Sequence, residues 1–342
     1  MRVTIKDIAA TAGVSATTVS RILNSQSKKY RISEKTANIV RKTAKELNYR
    51  PNQMARSLRL KRTHSIGLVV PDIANPFFAQ VTKSIQTQAY KFGYSTIVCN
   101  TDDQHQLEKD QIDLLISKGV DGLIVMPVGI EYKHLESIRG EGIHLVLMDR
   151  VFDDVAFPSV VVDNYAGAHE AVSYLIGKGH RRIGIIQGIA NTSTNKERAR
   201  GYKDALRRHG LEIDNNLISG NDYTRENGYI ETKLLLSQND PVTAIFTTSD
   251  LITIGALEAI FEENLNIPED ISIVSFDDIE IAPFLVAPLT AVHQPKRLMG
   301  EMAVKMLLEY LEGNEENPTK KIVLKPNLIE RASVSERIPV TS

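Results

Sequence analysis

What the chain has little of narrows its function first. Its 342 residues contain a single cysteine, Cys99, so an internal disulfide and any cysteine-built zinc site are excluded. No run of about 18 apolar residues occurs, and the opening MRVTIKD lacks the apolar stretch of a secretion signal, which points to a cytoplasmic protein away from membranes. Catalytic signatures are missing too. The 8 histidines follow no HExxH or zinc spacing, and there is no GxxxxGK[ST] phosphate loop. Gly177 and Gly179 begin like a dinucleotide fingerprint, but Arg182 stands at its third glycine position. These absences argue against an enzyme and leave no metal or cofactor to expect.

Net charge is also nearly absent, at a formal -1, yet that small sum hides a division. Residues 1 to 62 hold 15 Lys and Arg against 3 Asp and Glu, a balance of +12, while the remainder holds 26 against 39, or -13. A basic head on an acidic body is the asymmetry of a chain that binds a polyanion at one end only. At 42% hydrophobic residues, a chain of this length can bury more than one core.

The basic end opens with VTIKDIAATAGVSATTVSRILN. Apolar residues fall at helical spacing at Ile5, Ile8, Ala9 and Ala12, and again at Val19, Ile22 and Leu23 after a break at Gly13. Thr4 with Asp7 fits a capping box and Ser15 is a good N-cap, so two short helices meet at a glycine turn. That is a helix-turn-helix, whose second helix lies in the major groove of DNA. With Val19, Ile22 and Leu23 inward, Ala16, Thr17, Ser20 and Arg21 face out as the reading surface. Arg21 can fork onto a guanine, and Ala16 and the Thr17 methyl are small enough to touch a thymine methyl. Thr4, Ser15, Thr18 and Asn24 are expected DNA contacts beside them. A third helix, SEKTANIVRKTAKELNY, carries an apolar stripe at Ala37, Val40, Ala44 and Leu47 and ends near Tyr49, a further expected contact. The next segment, PNQMARSLRLKRTH, is too short for a stable helix alone. It reads either as a solvated basic linker or as a hinge helix that folds against the duplex, with Asn52, Ala55 and Arg56 as contacts and Leu58 as an apolar wedge in the minor groove.

From Ser65 onward, buried-strand runs alternate with helical patterns: SIGLVVPD, STIVCNTD, GLIVMPV, HLVLMDR, SVVVDN, RIGIIQG, AIFTTSD and ISIVSFDD. This spacing predicts βαβ units in two doubly wound parallel-sheet lobes. The expected domains are a three-helix head over 1-50, the hinge over 51-62 and a core over 63-342. Within the core, one lobe takes 63-162 and 291-320, the other 163-290 and 321-342.

Ligands of such sheets bind beyond the carboxyl ends of the strands, so residues just past each run are the candidates. They are Asn75, Phe77 and Phe78, then Asp149 and Arg150, Arg198, Asp250, Asp277 and Asp278, with Gln294 after TAVH and Tyr223 in GNDYTREN. Carboxylates, guanidinium groups, amides and aromatic faces together suit a neutral, hydroxyl-rich ring better than a phosphate.

The stretches VTIKDIAATAGVSATTVSRILN, ELNYRPNQMARSL and SIGLVVPDIANPFFAQV, and in order VDGLIVMP, LVLMDR, GHRRIGIIQG, ISIVSFDDIEIA, PLTAVHQP and LIERAS, resemble the LacI/GalR family of bacterial transcription regulators. The resemblance covers nearly the whole chain. It implies a dimer on near-palindromic operator DNA, a hinge helix whose final leucine matches Leu58, and a periplasmic sugar-binding-protein-like core. It also implies a pocket lined at the positions of Asn75, Phe78, Asp149, Arg150, Arg198, Tyr223, Asp277 and Gln294. The chain departs from ribose-binding relatives at Met126 and Ser249, where they carry asparagines. The expected effector is a sugar, with a sugar phosphate, nucleoside or purine as alternatives. A transport-type binding protein would share the lobes but lack the DNA head.

Overall fold

The computed structural model describes residues 3-49, 62-313 and 319-337. The chain divides into two compact units, Met1–Thr63 and His64–Ser342.

The first unit contains α1 (Ile5–Ala12), α2 (Ala16–Leu23) and α3 (Glu34–Glu46). Each start has a side-chain cap. Thr4 N–H donates to Asp7 Oδ2 at 2.7 Å while Thr4 Oγ1 accepts from Asp7 N–H at 3.4 Å, closing the capping box. Ser15 and Ser33 accept from Thr18 and Thr36 N–H, each at 3.1 Å. Gly13 ends α1 at φ 65°, a left-handed conformation that a Cβ would strain. The three helices bury Ile8, Ala9, Val19, Ile22, Ala37, Val40 and Ala44 against one another. So small a core has no redundancy: Ile22→Ala would cost about 2–5 kcal/mol, a large share of the stability of a domain this size.

The second unit carries two six-stranded sheets, in the orders β11-β5-β4-β3-β1-β2 and β12-β10-β9-β8-β6-β7. The first holds β1 (Ser65–Val70), β2 (Ser95–Asn100), β3 (Gly122–Val125), β4 (Leu145–Met148), β5 (Ser159–Val162) and β11 (Lys321–Leu324). The second holds β6 (Ile183–Ile186), β7 (Ile218–Ser219), β8 (Ala244–Thr247), β9 (Ser272–Phe276), β10 (Thr290–His293) and β12 (Asn327–Ile329). Between them run α4 (Pro76–Lys91), α5 (His105–Ser117), α6 (Lys133–Gly140), α7 (Asn164–Gly177), α8 (Ser193–Arg208), α9 (Arg225–Leu236), α10 (Asp250–Glu262) and α11 (Lys296–Leu311). Central strands β1, β3, β4, β6, β8 and β9 are buried almost throughout, as expected of strands covered by helices on both faces.

The two late strands sit in the opposite lobes from those the sequence suggested. Thr290–His293 extends the second sheet, pairing in parallel with β9 from Thr290 opposite Val274 to Val292 opposite Phe276. Helix α11 then packs Met299, Ala303, Val304 and Leu307 into the first lobe, which delivers Lys321–Leu324 to pair with β5 as the edge strand. KKIVLKPNLIE is thus two strands, one per sheet, with β12 antiparallel to β10. The alternation of apolar residues shows that these segments are strands; only partner geometry decides which sheet each one joins. The chain therefore crosses between the lobes three times: after β5, after β10 and after β11. The two-residue β7, at the sheet edge, is too short for a periodic signal.

Candidate effector cleft and DNA-reading face

The carboxyl ends of the strands of both lobes open on one cleft holding about 630 Å³ of empty space, part of it open to solvent. Of the eleven residues singled out from sequence, Asn75, Phe77, Phe78, Asp149, Arg150, Arg198, Tyr223, Asp277 and Gln294 line it. Asp250 lines it too. Asp278 does not: its carboxylate takes both arms of Arg331, at 2.7 and 3.1 Å, because successive residues after a strand point to opposite sides. Sequence reasoning passed over Asp72, Asp103, Thr194, Asp222 and Thr224 in the wall. Asp72 and Asp103 follow β1 and β2 within three residues, so the strand-end rule applied to them as well. The asparagine-deficient positions differ: Ser249 lines the cleft and caps α10, whereas Met126 lies in the first lobe's core.

Local geometry aims these groups. Asn75 is the N-cap of α4, its Oδ1 accepting from Phe77 N–H at 2.8 Å, with Pro76 pre-set for the first turn. Its amide donates across the cleft to Asp250 Oδ1 at 3.2 Å, joining the lobes. Asp149 and Asp277 adopt φ of 66° and 108°. Such backbone is costly for a residue with a Cβ and turns both carboxylates off the strand direction. Arg198 Nε donates to Asn164 Oδ1 at 2.7 Å, and its guanidinium lies 3.8 Å from the centre of the Phe276 ring. Arg150 donates to Asp103 at 2.9 Å and sits over the Tyr223 ring. Tyr223 itself is held 3.1 Å from the Thr194 hydroxyl and packs on Gly188, where any Cβ would meet the ring at 2.1 Å.

Electrostatically the cleft is acidic, with six aspartates against two arginines. Burial, joined by the charge of Asp250, pushes Asp277 up to about 7, although Lys296 and Arg198 oppose it. Burial also raises Asp149, with Arg150 and Arg198 opposing. Burial works against the charge of Arg150, but Asp103 and Asp149 outweigh it and raise its pKa. Gln294 donates to Asp277 Oδ1 at 2.8 Å. Three buried polar atoms in this wall, Asp250 Oδ2, Gln294 Oε1 and Arg150 Nε, have no hydrogen-bond partner among the described residues. Unsatisfied buried groups of mixed donor and acceptor character are what a polar ligand would complete.

In the head, Ala16 and Thr17 are exposed, and Thr18, Ser20, Arg21 and Asn24 are half-buried. The Arg21 guanidinium stacks on the Tyr30 ring, 3.8 Å from its centre. Thr4 and Ser15 double as helix caps, and Tyr49 packs partly on the head core. Asn52, Ala55, Arg56 and Leu58 lie outside the described residues.

A helix-turn-helix head and a two-lobed core with a polar ligand cleft define a ligand-controlled DNA-binding protein. Residues 4–52 match the family model for bacterial regulatory proteins of the lacI family, and residues 63–331 that for periplasmic binding proteins and the sugar-binding domain of the LacI family. The chain is 35% identical to the HTH-type transcriptional repressor PurR of Glaesserella parasuis serovar 5 (strain SH0165), over 97% of this chain and 98% of that one. Its fold is similar to the lac repressor dimer bound to operator and the anti-inducer ONPF, with a TM-score of 0.87, 26% identity and coverage of 98% and 100%. The transcriptional regulator CelR–cellobiose complex aligns with a TM-score of 0.74, 29% identity and coverage of 97% and 100%. The chain belongs to the LacI family: it is a DNA-binding transcription regulator controlled by a small-molecule effector, not an enzyme.

Proposed function

We propose that the protein represses transcription as a homodimer on a near-palindromic operator, acting on DNA in the cytoplasm, and that its effector is a neutral monosaccharide or a close derivative. The observation that carries the effector class is the imbalance of six aspartates and two arginines around three unsatisfied donors and acceptors. A sugar hydroxyl donates and accepts at once, so it suits Asp149, Asp277, Gln294 and the arginines together, whereas a dianionic phosphate would meet net negative charge. Phe77, Phe78 and Tyr223 supply apolar walls for a ring face. The CelR complex with cellobiose and the operator-bound lac repressor dimer support the sugar and the dimer.

Effector binding would work by favouring one arrangement of the lobes, which touch through Asn75 with Asp250 and through Lys196 with Asp153 at 2.8 Å. A head with Ala16, Thr17, Ser20 and Arg21 on base edges, and a hinge around Leu58, would read that arrangement out as operator affinity. A purine base is the second reading, favoured by the three aromatic walls and by the likeness to a repressor called PurR. Thermal-shift screening and calorimetry against free pentoses, hexoses, their phosphates and purine bases tests the assignment. The expected hit is an unphosphorylated sugar; preference for a phosphate or a purine overturns it.

A further inference from the structure

Away from the strand-end chemistry of the cleft, one side-chain cluster has no role in the reading above. His105 opens α5 and Glu108 stands three residues later, so both lie on one helix face. His134, from the start of α6, meets them there. One ligand atom from each of the three lies within 4.8 Å of the others. We propose that His105, Glu108 and His134 bind a divalent transition-metal ion of the zinc type in the first lobe.

Three observations support it. Glu108 is fully buried although it is a carboxylate, with Oε2 accepting from Val128 N–H at 2.7 Å and Oε1 2.7 Å from His134 Nε2. A buried carboxylate needs cationic or hydrogen-bonding partners to be tolerated, and this one is aimed at two imidazoles. Next, both ring nitrogens of His105 and Nδ1 of His134 are buried without a hydrogen-bond partner among the described residues. His105 Nε2 nevertheless lies 3.0 Å from a carboxylate oxygen of Glu131, near enough to bond but not aligned to do so. His134 Nε2 and Glu108 Oε1 share a hydrogen bond here, which an ion would displace: with zinc–nitrogen bonds of about 2.0–2.1 Å, tetrahedral ligands stand roughly 3.3 Å apart. Finally, two imidazoles and a carboxylate form a nitrogen-rich set suited to zinc rather than to calcium or magnesium, and exposed Glu131 is placed to add a fourth ligand. Two carboxylates would balance the charge of the ion.

The linear spacing escapes zinc patterns because the ligands come from two helices, with Glu108 and His134 26 residues apart. Such an ion would tie the start of α5 to that of α6. Asp103, two residues before His105, lines the cleft and bonds Arg150, so the site adjoins the effector wall without sharing its residues.

The test titrates ZnCl2 into full-length, chelator-stripped protein without a histidine tag, with Co2+ as a coloured substitute read by visible absorption. One ion per chain is expected. His105→Ala, at a partly exposed residue, and His134→Ala should each weaken uptake more than tenfold and abolish the tetrahedral Co2+ bands, with far-UV dichroism unchanged. Should His134→Ala fold poorly, His105→Ala decides alone. Absence of zinc uptake by the wild type, or equal uptake by His105→Ala, overturns the proposal. Neither outcome bears on the sugar assignment, which calorimetry with metal-free protein reads separately.

Discussion

In the head, residues aimed at a partner lie at the surface: Ala16 and Thr17 are exposed, Ser20 and Arg21 half-covered. In the core, Asp149, Arg150, Arg198, Asp277 and Gln294 are each no more than 7% exposed. The surroundings differ in sign as well, +12 over residues 1 to 62 against -13 over the remainder. Exposed basic surface attracts a polyanion over a distance and is screened by salt, whereas buried groups act only at contact, where an unmet hydrogen bond is costly. The head should thus draw much of its affinity from charge, and the core its selectivity from which atoms remain unpaired.

The largest effect that would break this contrast is ionic. If the head makes 6–10 phosphate contacts, operator affinity should fall about 10³–10⁵-fold between 50 and 200 mM salt, while effector affinity stays nearly constant. A flat operator response in a filter-binding titration would refute the charge-driven head. Next comes Asp277→Ala, expected to weaken the effector by roughly 100-fold through the loss of acceptors for ligand hydroxyls, with effector-free operator binding intact. Equal affinity by calorimetry would remove Asp277 from the site. Arg21→Ala should relax base preference at one position per half-site by about 1–3 kcal/mol, and operator variants at each position would show it.

A pH series sharpens the core's side. Because folding raises Asp277 from an ordinary carboxylate value to about 7, the folded chain holds a proton there that the unfolded chain has lost. That site's contribution to stability therefore declines as pH rises from about 4 to about 7. A ligand that donates hydroxyls to the carboxylate should bind more tightly as pH climbs through 7, by up to about tenfold per unit below it. Asp277→Asn should flatten both profiles; an unchanged slope would assign them elsewhere. Smallest is Ser15→Ala, which should cost about 1 kcal/mol of head stability by uncapping α2, read as a lowered melting point of the head.

What was legible in the sequence follows the same division. Caps, glycine turn and apolar stripes are local, so Thr4, Ser15 and Gly13 announced the head helices directly. Strand ends mark where a ligand sits in an open sheet, and ten of the eleven strand-end candidates line the cleft, Asp278 turning away to Arg331. What stayed hidden depends on long-range partners. Thr290–His293 and Lys321–Leu324 were recognisable as strands but not by sheet, since parallel pairing leaves no trace in their own residues. His134 had no visible tie to Glu108 across 26 residues.

The three crossings between lobes also set an order of assembly on the ribosome. The head is complete once α3 has emerged, because its core closes by Ala44. The first sheet must wait for its edge strand at Lys321–Leu324, and the second for Asn327–Ile329, so neither half of the sensor is finished until nearly the whole chain has been translated. A nascent chain thus possesses a folded reading head well before it possesses a finished sensor, and responsiveness to an effector is the last property it acquires.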